Sequence, residues 1–291
     1  MRFPARAAVP LCALTAAVLN AAEPGTTLDD IPSRFATLAA ARVHYKLAGR
    51  GRTALVFVHG WGGDLNVWRE QVPHFVSKAR LIVVDLPGHG RSDTPVVEYS
   101  MKHMARAIRA VLEDARIDRA VLIGHSAGTP VIRQFDRMFP ARTRALVAVD
   151  GALRNPAPAA AGEKEVAAMR AADYRDAIVG ILDSTTPSAS PEIREAMKRS
   201  ATALPQHVAV SFTAALFDPS IWKDDRIAVP LLVINHQSPM WSDEYVQAVR
   251  ALADDVDYQT IDGVDQFLML EKPDEFNSRL ERWLVRERLL R

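Results

Sequence analysis

Apolar runs about five residues long recur along the chain at 54–58, 80–84, 119–123 and 145–149, and again at 231–235. Such runs, without regular polar alternation, predict strands buried on both faces, as in a parallel sheet. Residues 256–261 resume the strand pattern with more polar positions. Residues 35–40 and 42–47 predict a leading hairpin-type pair. Between the strands, residues 66–77, 101–115 and 130–138, and later 243–252 and 274–285, carry apolar positions at helical spacing. This alternation of strand and helix predicts an α/β fold with a mostly parallel, doubly wound sheet.

The rhythm changes between residues 151 and 225. The stretch is alanine-rich, lacks β-branched runs and is broken at Pro156, Pro158, Pro187, Pro191 and Pro205. Four short helices are expected there, at 159–170, 174–182, 192–204 and 206–217. Helices inserted above the carboxyl ends of a sheet form a cap that closes a pocket. The expected organisation is therefore a first core segment at 23–150, a helical cap at 151–225 and a second core segment at 226–291.

Residues 1–22 carry a different signal. Arg2 and Arg6 precede the apolar residues 7–19, and Asn20, Ala21 and Ala22 offer small residues for cleavage, the pattern of a secretory signal peptide. The expectation is export, to the periplasm or the medium. The single cysteine, Cys12, lies inside that segment, so a mature chain would have no disulfide, cysteine nucleophile or thiolate metal site. With 36 basic residues less Arg2 and Arg6, 34 remain against 35 acidic ones. That balance gives no electrostatic case for nucleic acid. No later apolar run reaches the roughly 18 residues needed to cross a membrane. At 291 residues with 48% hydrophobic positions, the chain can bury a large core.

The chemistry centres on Gly124-His125-Ser126-Ala127-Gly128, which matches Gly-x-Ser-x-Gly directly after an apolar strand and before a helix. In that setting the serine sits on a strained turn that lifts its hydroxyl above the sheet edge. A second glycine-rich turn, His59-Gly60-Trp61-Gly62-Gly63, ends the strand at 54–58. Asp85-Leu86-Pro87-Gly88-His89-Gly90-Arg91-Ser92 follows the strand at 80–84. His59, His89 and His125 belong to these turns and read as turn-stabilising or pocket-wall residues, and Asp85 and Asp93 as turn-formers. Neither a dinucleotide fingerprint nor a His-Glu-x-x-His metal motif is present, so no cofactor or metal is expected.

In this order the motifs resemble the α/β-hydrolase superfamily, over roughly residues 35–290. The resemblance implies Ser126 as nucleophile and the backbone amides of Trp61 and Ala127 as the oxyanion hole. It also implies a histidine after the last strand, ahead of a Phe-x-x-x-Glu-x-Pro stretch. Here that stretch reads Gly263-Val264-Asp265-Gln266-Phe267-Leu268-Met269-Leu270-Glu271-Lys272-Pro273, with Gln266 at the histidine position and Asp265 in place of the commoner glycine. An amide donates and accepts hydrogen bonds but takes no proton at neutral pH. For the acid that orients the base, Asp150 at the end of the sixth strand is preferred to Asp243, which suits the first turn of a helix. His236, just beyond the strand at 231–235, is the one candidate for a substitute base, although a pocket-wall role is preferred.

The resulting expectation is a secreted serine hydrolase for small, largely apolar ester-like molecules, weak or inactive because of Gln266. Trp61, Trp68, Met101, Phe212, Phe217, Trp222, Met240 and Trp241 could line an apolar pocket, although side chains of this kind are more often core. The alternatives are a binding protein on the same fold and a cofactor-free lyase or peroxidase-type enzyme. The expected partner is a small-molecule substrate, with neither nucleic acid nor membrane, and oligomeric state is left open.

Overall fold

The apolar runs fold as neighbours in one eight-stranded sheet. In chain order the strands are β1 (Ser33–Leu38), β2 (Ala41–Gly49), β3 (Ala54–Val58), β4 (Arg80–Val84), β5 (Ala120–His125), β6 (Thr143–Val149), β7 (Leu231–His236) and β8 (Val256–Ile261). Their spatial order is β1-β2-β4-β3-β5-β6-β7-β8, with β1–β2 and β2–β4 antiparallel and every other pair parallel. The computed structural model describes residues 25–155 and 159–290. The proposed signal segment with Arg2, Arg6 and Cys12, and the breaks at Pro156 and Pro158, lie outside the described residues.

Successive side chains of β3 show why its run is continuously apolar. Leu55 and Phe57 enter the core on one face of the sheet, with Trp68, Phe75, Phe276 and Trp283, while Val56 and Val58 enter the core on the other, with Ile108, Val131 and Phe135. Helices α1 (Val72–Phe75) and α10 (Pro273–Arg286) cover the first face. Helices α2 (Met101–Asp114) and α3 (Gly128–Met138) cover the second.

Two helices differ from expectation. The helix expected at 66–77 is a 3-10 turn at Leu65–Trp68 followed by the single turn of α1. Pro73 has no N–H to continue a ladder through residue 69. The fully buried Gln71 instead turns inward, its amide nitrogen donating to the Met269 carbonyl at 2.9 Å and the Asn277 side chain at 3.1 Å. Helix α3 begins at Gly128, two residues before the expected start, because Pro130 falls in the first turn, where a missing N–H costs no internal bond.

Between β6 and β7 the chain forms α4 (Ala159–Arg170), α5 (Tyr174–Thr185), α6 (Pro191–Thr202) and α7 (Gln206–Leu216). Helix α4 packs on α5 and α7, and α5 on α6. The layer is fastened to the core at several points. The Tyr99 amide donates to Ser211 Oγ at 2.8 Å, and Ala201 of α6 lies where a side chain on Gly62 would collide, 2.8 Å from its Cβ. The remaining helices are α8 (Asp243–Arg250) and the one-turn α9 (Leu268–Glu271), which the hydrophobic pattern did not reveal. Among the described residues no helix is long and apolar enough to cross a membrane.

The chain leaves β3 for β4 on one side, then returns to β5 on the other. The carboxyl ends of β3 and β5 therefore flank a topological switch point, where an open α/β sheet leaves a crevice for a ligand. The turns at 59–63 and 124–128 both lie there.

Candidate active site

Ser126 follows the last residue of β5 with φ +50°, a left-handed conformation that strains a residue bearing a side chain. Its amide donates to the Val149 carbonyl at 2.9 Å, and its own carbonyl accepts from Thr129 as α3 begins. Close approach holds this turn in place. A Cβ on Gly128 would lie 2.6 Å from the Val58 carbonyl oxygen, and one on Gly60 would lie 2.9 Å from the Ser126 Cβ and 3.3 Å from the Ala127 amide nitrogen. Glycine at both positions lets the 59–63 turn lie against the serine turn.

Gln266 comes to the serine. Its side-chain nitrogen donates to Ser126 Oγ at 2.9 Å, although the two are 140 residues apart. Its backbone carbonyl accepts from His125 Nε2 at 2.9 Å, which fixes the Gln266 main chain against β5. The serine hydroxyl thus meets an amide where a proton acceptor is expected.

The imidazole–carboxylate pair lies at the same carboxyl edge of the sheet, at the ends of β6 and β7. Asp150 follows β6 with φ +44°, a second residue in the left-handed region at a strand end, and it is 4% exposed. His236, the last residue of β7, donates to Asp150 Oδ1 from Nδ1 at 2.7 Å and from its backbone amide at 3.1 Å. The hydrogen bond to Asp150 raises the His236 pKa above the ordinary imidazole value, and the charges of Asp265 and Glu271 add to it. Asp243 lies in the exposed first turn of α8, where Ser242 Oγ caps the helix by accepting from the Tyr245 amide. The structure therefore brings Asp150 and His236 together and leaves Asp243 at the surface.

The three turn histidines are buried and bonded to main chain. His59 Nδ1 donates to the Gly60 carbonyl at 2.7 Å while Nε2 accepts from the Leu86 amide at 2.9 Å. His89 Nδ1 donates to the Pro87 carbonyl at 3.0 Å, and Nε2 accepts from the Gly62 amide at 3.3 Å. Burial lowers all three pKa values, that of His89 to about 3 and that of His125 to about 4. An unfolded chain protonates these rings near pH 6.5 while the folded chain does not, so acid favours unfolding. Each of His89 and His125 is expected to remove up to about 1.4 kcal/mol of stability per pH unit between 6.5 and about 4. His236 acts in the opposite sense: its raised pKa stabilises fully below about 6.5 and that contribution fades as pH rises through its folded value. The melting temperature should therefore fall from pH 6.5 to pH 5; a flat profile would mean that the buried rings are already charged.

Asp85 and Asp93 do more than form local turns. Asp85 is buried and accepts from His44 Nδ1 at 2.6 Å and from the amides of Leu65 and Arg91 at 2.8 and 2.9 Å. Asp93 accepts from the Arg42 amide at 2.8 Å and from its guanidinium. Each ties the loop after β4 to β2. Asp265 has a similar task across the cap: its Oδ2 accepts from the amides of Ser188 and Ala189, just ahead of α6. Its own amide donates to Glu271 at 3.0 Å. Sequence reasoning assigned no role to Asp265, and its place beside Gln266 was the only available signal.

Three of the eight aromatic and methionine candidates for pocket walls are core. Trp68, Met101 and Phe212 are fully buried, Phe217 packs where a Gly162 side chain would be, and Met240 is 56% exposed. The apolar character inferred for a pocket therefore does not follow from them. A cleft of about 720 Å³ lies between α6 and the loop after β4, lined by Asp64, Arg69, Glu192, Met197 and Arg199 among others. Its lining is mixed in charge and does not include Ser126, Gln266, Asp150 or His236.

Comparison with known proteins agrees with this architecture. A family model for the alpha/beta hydrolase fold matches residues 53–181. The chain is 40% identical over 103 residues to a pimeloyl-[acyl-carrier protein] methyl ester esterase of Edwardsiella ictaluri, covering 35% of this chain and 37% of that one. It is 34% identical over 149 residues to a 2-hydroxy-6-oxononadienedioate/2-hydroxy-6-oxononatrienedioate hydrolase of Paraburkholderia phymatum, covering 50% and 47%. These matches span less than half the length of the curated relatives. A solved structure described as Est816, an N-acyl homoserine lactone degrading enzyme, superposes with a TM-score of 0.73 at 28% identity, covering 85% of this chain and 99% of that one. The protein has the α/β-hydrolase fold.

Proposed function

We propose that the protein is a serine hydrolase for small ester-like substrates, with Ser126 as nucleophile. The strained Ser126 turn at the switch point, pressed against the glycine turn at 59–63, carries this reading. The Trp61 and Ala127 amides would hold the negative charge that develops on the carbonyl oxygen during attack. The esterase and hydrolase relatives support the reaction class.

Gln266 sets the rate. Its amide orients the Ser126 hydroxyl but takes no proton, so acyl transfer is slow compared with a site that places an imidazole there. The same hydrogen bond favours a second reading, in which Ser126 and Gln266 hold a ligand without turnover.

A fluorophosphonate probe separates the two. With Gln266→His in place, intact mass is expected to show one adduct, mapped to the peptide containing Ser126 and absent from the Ser126→Ala derivative. A folded Gln266→His protein that takes no adduct would overturn the hydrolase reading in favour of binding.

A further inference from the structure

We propose that His236, held by Asp150, is the base this chain uses in place of a histidine at 266, and that it reaches Ser126 through a bridging water. The inference rests on the hydrolase reading above and names the proton acceptor for it.

The argument starts from topology. Strands β5, β6 and β7 are consecutive neighbours in the sheet and parallel, so Ser126, Asp150 and His236 emerge at the same carboxyl edge. Two strand spacings separate the β5 and β7 ends, roughly 9–10 Å. Serine and imidazole side chains that reach toward each other across such a span would leave room for one hydrogen-bonded water, through which a general base can act. No direct Ser126–His236 hydrogen bond forms in the structure; the serine's contact is with Gln266.

The state of the ring fits the task. Nδ1 donates to Asp150, so the neutral ring presents an unprotonated Nε2 as its acceptor. Asp150 has φ +44°, and its Oδ1 accepts from both His236 Nδ1 and the His236 amide, so one carboxylate oxygen holds the ring and its main chain. This is the relation of acid to base in a serine–histidine–aspartate relay, assembled from the ends of β6 and β7. The side chain is 21% exposed, so water reaches the ring.

The step balances without a further reagent. As Ser126 Oγ attacks the ester carbonyl carbon, its proton passes to the bridging water, and a proton of that water passes to His236 Nε2. Collapse of the intermediate breaks the carbonyl carbon–alkoxy oxygen bond, and the imidazolium returns the proton through water to the leaving alcohol. A second water, deprotonated by the same ring, then attacks the acyl carbon; the acyl carbon–Oγ bond breaks, the acid leaves, and the imidazolium returns its proton to Ser126 Oγ.

The pH dependence follows from the groups around the ring. Asp150 from β6, and Asp265 and Glu271 from the segment carrying Gln266, all favour its protonated form. Tyr258, bonded to Asn235 one residue before His236, stays neutral, its pKa pushed up to about 12 by burial. Only the neutral ring acts as base, so the rate should rise with pH through an ionisation above the ordinary histidine value of about 6.5.

The test is hydrolysis of p-nitrophenyl acetate by the full chain from pH 5 to 9, with Ser126→Ala as the background. His236→Gln keeps an amide donor for Asp150 and should lower the Ser126-dependent kcat about a hundredfold or more, with KM within twofold. The rising pH limb should vanish with it, and imidazole in solution should restore turnover to His236→Ala. A structural role for His236 would give neither the loss of the limb nor the rescue. Unchanged Ser126-dependent turnover in His236→Gln, or no such turnover in the natural sequence, overturns the proposal. If Gln266→His then hydrolyses the ester, the hydrolase reading stands without His236; if that folded variant is inert as well, both fall.

Discussion

Replacing Gln266 by histidine is expected to raise kcat on a p-nitrophenyl ester by about 10² to 10⁴-fold, the range that a positioned general base contributes. The Gln266 side chain already lies 2.9 Å from Ser126 Oγ, so an imidazole of similar reach would contact the hydroxyl directly, without a bridging water. Loss of the histidine from a serine triad costs up to about 10⁶-fold where no substitute acts. A smaller gain here would reflect the partial service of His236. The main chain at 266 should not move, because the His125 ring donates to the residue's carbonyl rather than its side chain. Steady-state assay of both proteins settles it: a folded variant no faster than its Ser126→Ala derivative would mean that Ser126 is not the nucleophile.

Within that Gln266→His protein, Asp150→Asn is expected to abolish most of the gain, by up to about 10⁴-fold, as when the aspartate of a serine–histidine–aspartate relay loses its charge. Asparagine also tolerates the left-handed backbone that Asp150 adopts, so the turn should survive and the loss should be one of kcat. His236 donates both of its bonds to Oδ1, so it makes no claim on the second carboxylate oxygen. Asp243→Asn, at an exposed helix start, should leave turnover within about twofold. The opposite pattern, with Asp243→Asn crippling and Asp150→Asn silent, would remove Asp150 from the site.

Much of the sheet was legible because its residues have only one way to be buried. A run such as Leu55-Val56-Phe57-Val58 is apolar on both faces, so it suits a strand between two helical layers. The Ser126 turn was legible because its geometry is local: a strand, a strained residue and close-packed glycines within five positions. The break at residues 69–71 was harder to see, because the Gln71 amide nitrogen is held by Met269 and Asn277, about 200 residues away. The core location of Trp68, Met101 and Phe212 agrees with the commoner use of such side chains, although an aromatic or thioether group suits a pocket wall as well.

By itself, then, the sequence determined the alternation of buried strands and amphipathic helices, the insertion after β6 and the strained serine turn. These depend on neighbours within a few residues, where side-chain period and backbone sterics act. It also determined that residue 266 carries no imidazole. Only the tertiary structure decided that Gln266 nevertheless reaches Ser126, that Asp150 is buried at the sheet edge while Asp243 is exposed, and that Asp150 already holds His236. Those contacts join residues 86 and 140 positions apart. They exist because parallel pairing sets the ends of β5, β6 and β7 side by side, an outcome of long-range burial that no local pattern encodes.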